Sequence, residues 1–416
     1  MNAKFGSSSL HGLETEISEV STALRGGLVP ILEEISGVSQ RPASLARSLG
    51  IDKSLSGRIL RSIKATEPFE VVHNAPAPYG LRLFVEAAER KGINPGLCRR
   101  AESAIARFES LIQSFPDGRT ALEAAISDHL PEVRARNERA ARQAAYKSMS
   151  YLMGYQAEGT FHASVISPSS DNNSKLDFMH ISGLHGLRRL RGRAPMILFG
   201  LRGYDPSPDE PARIETIDGE PHTQDASRYL LSDFCSRPMP DLKVHKEGLV
   251  THLVLRAASV PANTPVTLVN GWVSRNGSLR YRSEHRTHEW HSGFIRVPAR
   301  VRVQDYFIHR DVLPGTPDLR ARLQGLVSSH EPPAGDEVHV DQVDINVSLE
   351  SMGSGLSPAV ARNAAVPGYE GLLRQVFDRS GHSISDFRVY RCEVVYPVPF
   401  VSLTAWFELP EAPSSR

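Results

Sequence analysis

Arg41-Pro-Ala-Ser-Leu-Ala-Arg-Ser-Leu-Gly-Ile-Asp-Lys-Ser-Leu-Ser-Gly-Arg-Ile-Leu-Arg-Ser-Ile63 reads as two short helices joined by a tight turn. Pro42 suits the first turn of a helix, Leu45, Ala46 and Leu49 lie inward, Gly50 permits the positive φ of the turn, and Asp52 can cap the second helix. Ala46 is small enough for a close crossing, and Ile51 plugs the turn into the core. On the second helix Leu55, Ile59, Leu60 and Ile63 make an inward stripe, while Ser54, Gly57, Arg58 and Arg61 recur on the opposite face. Such a small, basic face suits a recognition helix, because its backbone can sit deep in the major groove while arginines reach guanine edges or phosphates.

Downstream, Phe69 to His73, a turn over Asn74-Ala-Pro-Ala-Pro78, and Tyr79 to Leu83 read as a two-stranded wing from which His73 and Arg82 would reach the backbone or minor groove. With the flanking Arg41, Ser44, Lys53 and Ser56, the residues Ser54, Gly57, Arg58, Arg61 and Arg82 form the expected DNA-binding set. Residues 28 to 92 resemble the winged helix-turn-helix of the isocitrate lyase regulator (IclR) type of bacterial transcription regulators. The likeness rests on Leu45 to Ile51, Ser54 to Leu60 and Tyr79 to Leu81, and departs from the family pattern at Gly57 and at the proline-bearing wing tip. It implies sequence-specific binding of double-stranded DNA by a dimer. It does not extend past Gln156, so that family's ligands do not carry over.

Charge points the same way. Residues 41 to 100 hold eleven basic and five acidic side chains, a local excess of +6 in a chain whose net charge is +1. A basic module joined to a more acidic body is the pattern of a polyanion-binding protein.

The first 40 residues read as helix, amphipathic from Leu13 to Leu24, broken at Gly26-Gly27 and resuming through Ile35. Leu97, Ala101, Ala104, Ile105, Phe108, Leu111 and Ile112 recur at helical spacing, Pro116-Asp117-Gly118 interrupts them, and helix continues to about Met153. This connector carries more apolar surface than it needs to cover itself, so it is expected to dimerise the chain. Beyond it the texture alternates at Phe161 to Ile166, Met196 to Leu201, Leu249 to Leu255, Val266 to Val273, Val301 to Ile308, Val338 to Val347, Phe387 to Val395 and Val401 to Phe407. Helices are expected at Ser227 to Phe234 and Tyr369 to Arg379. The fold class is therefore α+β, with residues 1–92 as the DNA-binding part, 93–153 as connector and 154–416 as a β-rich effector or assembly body.

Three scattered cysteines, Cys98, Cys235 and Cys392, fit neither a disulfide framework nor a cysteine zinc site. The chain shows neither the roughly 20 apolar residues of a membrane span nor an export signal, so a cytoplasmic protein is expected. Glu284-His-Arg-Thr-His-Glu-Trp-His291, if a strand, places His285, Glu289 and His291 on one side and Arg286, His288 and Trp290 on the other. Such a side is first an exposed polar strand or a ligand-facing wall and only secondarily a metal site, which would need a further ligand. Leu187 to Arg193 is a basic run read as a solvated turn, and Asp341 to Val347 a strand with one wet face. No phosphate loop, dinucleotide fingerprint or nucleophile elbow is present. The leading expectation is a DNA-binding transcription regulator, homodimeric, without cofactor or metal, whose body senses a small-molecule or protein effector. A protein-assembly module using the winged helix is the alternative, and a metal-dependent enzyme ranks third.

Overall fold

The computed structural model describes residues 5–35, 41–127, 129–191, 195–202, 213–247, 250–256, 264–284, 286–323 and 342–413. The chain divides into two compact units, Met1–Asn137 and Glu138–Arg416. The architecture is α+β: helices fill the first unit, and strands dominate the second.

In the first unit α1 (Phe5–Glu34) is followed by α2 (Pro42–Leu49), α3 (Lys53–Lys64), α4 (Pro68–Asn74), α5 (Pro78–Arg90), α6 (Pro95–Gln113), α7 (Arg119–Ser127) and the start of α8 (Pro131–Met153). Helices α2, α4, α5 and α6 each begin with proline, whose missing N–H costs nothing there and whose fixed φ starts the turn. That explains why the expected wing is not formed. Pro68 and Pro78 start helices where strands were expected, and Val71, Val72, Leu81, Phe84, Val85 and Ala88 supply a buried helical stripe. Helix α1 likewise runs through Gly26 and Gly27 without the expected break. Gly27 marks a close crossing instead: a Cβ there would lie 2.9 Å from the Ala101 Cα of α6.

Ile17, Leu24, Leu28, Leu45, Ile59, Phe84, Ile105, Phe108, Leu111, Leu122 and Ile126 share one buried core. The apolar stripe of the expected connector is thus consumed inside its own unit, joined to the basic helices rather than held apart from them. The residues of that stripe in α6 and α7 are spent on this core, whereas Tyr151 and Leu152 near the end of α8 are exposed.

In the second unit a seven-stranded sheet has the order β11-β12-β9-β1-β2-β7-β4. Its strands are β1 (Tyr155–Pro168), β2 (Lys175–Arg189), β4 (Arg213–Glu215), β7 (Val266–Leu279), β9 (Ala299–His309), β11 (Glu350–Ser354) and β12 (Phe387–Val395). The β1 and β9 strands are parallel, and the other pairs are antiparallel. Two three-stranded sheets complete the unit: β10-β13-β8, from β8 (His288–Phe294), β10 (Asp318–Leu323) and β13 (Val401–Glu408), and β3-β6-β5, from β3 (Met196–Arg202), β5 (Leu242–Glu247) and β6 (Val250–Leu255). Two short helices, α9 (Pro358–Ala361) and α10 (Tyr369–Ser380), precede β12.

Alternation sorts the large sheet's side chains into layers. Phe161, Ala163, Val165, Met179, Ile181, Val269, Val273, Val303 and Phe307 pack on Leu372, Leu373, Val376 and Phe377 of α10. On the opposite face, Ile166, Phe178, Tyr306 and Cys392 meet Leu403, Ala405 and Phe407 of the β10-β13-β8 sheet, while Leu184, Leu268 and Trp272 meet Leu198, Leu201, Leu253 and Leu255 of the β3-β6-β5 sheet.

Two further expectations are corrected. Residues 227–234 form two 3-10 turns, Ala226–Tyr229 and Ser232–Phe234, rather than one helix. Residues 342–347 form no strand beyond an isolated bridge from Gln342 to Arg322; the preceding 338–341, and Leu249, lie outside the described residues.

Candidate functional site

The α2-turn-α3 pair is built as its sequence requires. Gly50 ends α2 at φ 66°, Ile51 N–H bonds back to Ala46 O at 3.1 Å, and the Asp52 carboxylate caps α3 by accepting from Ser54 N (2.7 Å) and Leu55 N (3.1 Å). Arg41, Arg47, Lys53, Ser54, Arg61 and Lys64 are exposed around this pair of helices, and Ser44 is half-buried.

Four of the expected contacts lie elsewhere. Ser56 is buried and its hydroxyl donates to Asp52 O at 3.0 Å. Gly57 is buried where α3 passes Pro42, which a Cβ would meet at an ordinary 3.8 Å, so the position faces inward rather than into a groove. Arg58 turns inward and donates from Nη2 to Ala75 O at 2.9 Å. Arg119 reaches the same helix end, donating to Val72 O (3.0 Å) and His73 O (2.9 Å). Two guanidiniums therefore cap the carbonyl end of α4, and burial, then Arg119, lower the Arg58 pKa. Arg82, placed on α5, is held by Glu109 at 2.5 Å and Glu102 at 3.7 Å.

The second unit holds a constellation that sequence reading missed. On the face of the large sheet covered by the two small sheets, register lines up polar side chains across four strands. One row is Gln304, His162, Ser182 and Asn270; the next is Tyr306, Ser164, His180 and Trp272; Arg302 stands beside Thr160 at their edge. From the β10-β13-β8 sheet come Glu289 and His291, on one side of the strand as its alternation predicts but buried rather than exposed; His285 lies outside the described residues. His162 bonds Ser182 Oγ at 2.8 Å and Ser164 Oγ at 3.0 Å. His180 stacks between His162 (5.4 Å between centroids) and Trp272 (4.3 Å).

Burial lowers the pKa of His180 to about 3, and burial, with neighbouring positive or titratable groups, holds His162 and His291 well below the usual value. Burial raises the Glu289 carboxyl, opposed by Arg286 at 2.7 Å. The histidines are therefore neutral at pH 7. Among the described residues no group of three or more His, Cys, Asp or Glu side chains is placed to hold a metal ion. No described helix is long and apolar enough to cross a membrane.

No protein-family model and no curated protein matches the chain. The solved structures that align with it include two of low similarity. A "putative protease" from Parabacteroides distasonis ATCC 8503 is 8% identical, with 62% of this chain and 41% of that chain covered and a TM-score of 0.26. A "putative nutrient binding protein" from Legionella pneumophila subsp. pneumophila str. Philadelphia 1 is 9% identical, with 61% and 67% covered and a TM-score of 0.26. The chain spans under half the length of the first of these proteins. At these scores neither likeness bears on what the chain does.

Proposed function

We propose that this protein is a DNA-binding transcription regulator: its first unit reads duplex DNA through α2 and α3, and its second unit senses a small ligand. The observation that carries the proposal is the capped α2-turn-α3 pair with Arg41, Arg47, Lys53, Arg61 and Lys64 exposed around it. Exposed cations spaced along a recognition helix suit phosphates and guanine edges. Because Arg58, Gly57 and Ser56 are committed to packing, the reading face is narrower than the sequence suggests and rests on Lys53, Ser54 and Arg61. The test is selection of bound duplexes from a random pool with the full chain, followed by titration across salt concentrations. A defined motif whose affinity falls steeply with salt supports the reading; no duplex binding at low salt rejects it in favour of a protein-binding role for the same helices.

A further inference from the structure

Nine-tenths-buried polar atoms without a hydrogen-bond partner are rare in folded proteins, because each costs its desolvation. Here they gather on one face. Both ring nitrogens of His180, both amide atoms of Asn270, Thr160 Oγ1, Ser274 Oγ and Arg302 Nε are buried without a hydrogen-bond partner, as are both ring nitrogens of His291, whose Nε2 lies 3.6 Å from Glu289 Oε1. Arg302 adds a charge. It is 5% exposed, its described contact is Gln304 Oε1 at 3.3 Å, and among the described residues no carboxylate pairs with it. Three other inward arginines of the unit meet carboxylates: Arg391 meets Asp305, Arg275 meets Asp177 and Glu215, and Arg286 meets Glu289.

At the centre of this face His162 and Ser182 keep a little accessible surface, whereas Gln304, Asn270, Ser164 and His180 around them are buried. Two residues beyond Arg302 and Thr160 along these strands, Arg300 and Glu158 form a half-exposed pair that marks where the polar row meets the surface.

We propose that this interior row is a binding site for a small hydroxylated carboxylate, its carboxylate held by Arg302 and Thr160 and its hydroxyls by Asn270, His180 and His291. The charge argument selects an anion, since a lone buried guanidinium is stabilised by a carboxylate. The neutral imidazoles and the amide select hydroxyls, because each offers both a donor and an acceptor and an alcohol uses both. The site is the sensing element of the proposed function and rests on that reading for its role, though its test does not depend on DNA.

Polar groups kept for binding burden the free protein, so removing them should stabilise it. Thermal melts of the full chain and of Arg302→Met, Asn270→Leu and Thr160→Val provide the first readout. Each variant is expected to melt about 2 to 4 °C above the parent. Gluconate and galacturonate serve as probes and glucose as the uncharged control. At saturation at least one acid should raise the parent midpoint by about 5 °C, glucose should not, and Arg302→Met should lose the shift. Variants that all melt lower than the parent make the row structural and overturn the proposal. A parent unmoved by both acids overturns it as well, as does an equal shift in Arg302→Met. Failure of the DNA reading would appear separately, as absent duplex binding by the ligand-free parent.

Discussion

The His180 imidazole lies 4.3 Å from the Trp272 indole, centroid to centroid, with the planes inclined by 28°. Its pKa is lowered to about 3 by burial, and His162 and His291 are held well below 6.5 for the same reason. A histidine whose folded pKa is depressed leaves stability intact above its unfolded value near 6.5, and costs stability as pH falls from there toward the folded value. Each such group contributes a slope of up to about 1.4 kcal/mol per pH unit in that window. Glu289 opposes the trend, since its raised folded pKa lets it take up a proton before the unfolded chain does. Arg302 and Arg286, close by, disfavour further positive charge. Urea melts should therefore show stability falling steeply between about pH 6.5 and 5, and His180→Leu should flatten the fall. Equal stability at pH 7 and pH 5 would contradict the assignment.

A second prediction concerns the clamp beneath α9 and α10. Asp305 receives Arg391 through two bonds of 2.8 and 2.7 Å and the Tyr369 hydroxyl at 2.7 Å, while Arg391 also donates to Val360 O at 2.9 Å. Breaking a buried pair leaves one charge uncompensated, so Asp305→Asn is expected to cost about 3 to 5 kcal/mol. Tyr369→Phe removes one donor and should cost about 1 to 3 kcal/mol. Chemical denaturation of the three chains checks the order; an Asp305→Asn loss smaller than that of Tyr369→Phe would show that the pair is not the clamp.

The third follows from where the stripe of α6 packs. Phe108 and Leu111 are fully buried within the first unit, so Leu111→Ala should lower stability by about 2 to 5 kcal/mol through the cavity it leaves. Its mass by light scattering should match the parent's at the same concentration. A lowered mass with an unchanged melt would restore the stripe as a subunit interface.

These cases show what the sequence made legible. The α2-turn-α3 pair was, because Gly50 and Asp52 act locally: one sets a positive φ and the other caps adjacent N–H groups. Several strands of the second unit, among them β1, β7, β9, β12 and β13, were too, because alternation is written in each segment, whereas the central β2, Lys175–Arg189, was not expected. The missing wing was not, because Pro76 and Pro78 suit a turn as well as a helix start, and only the packing of Leu81, Phe84 and Val85 decides. Nor was the histidine face. Thr160, His162, Ser164, His180 and Ser182 alternate with apolar residues as on any solvated strand. That a second layer covers their side is a fact of the whole unit's topology, to which no single strand gives a clue. Arg58 misled for a related reason: helical periodicity assigned it a face, while α4 supplied the carbonyls that drew it inward.

That displacement separates two arginines one turn apart, and the last prediction turns on it. Arg61 is exposed, and the proposed reading gives it a DNA contact, whereas Arg58 donates into the end of α4. Arg61→Ala should leave the melt within about 0.5 kcal/mol of the parent, as surface changes do, and weaken binding to the selected duplex by about 1 to 3 kcal/mol. Arg58→Ala should lose about 1 to 2 kcal/mol of stability, because the carbonyls of α4 lose one of their two charged donors. At temperatures well below its melt it should bind the duplex nearly as the parent does. Arg58→Lys restores charge but not the planar fork, so it should recover part of the stability. Melts and fluorescence anisotropy on the three variants distinguish the roles. A double dissociation, Arg61 for binding and Arg58 for folding, is the expected result; Arg58→Ala abolishing duplex binding at full stability would return Arg58 to the groove and require α4 to be capped by Arg119 alone.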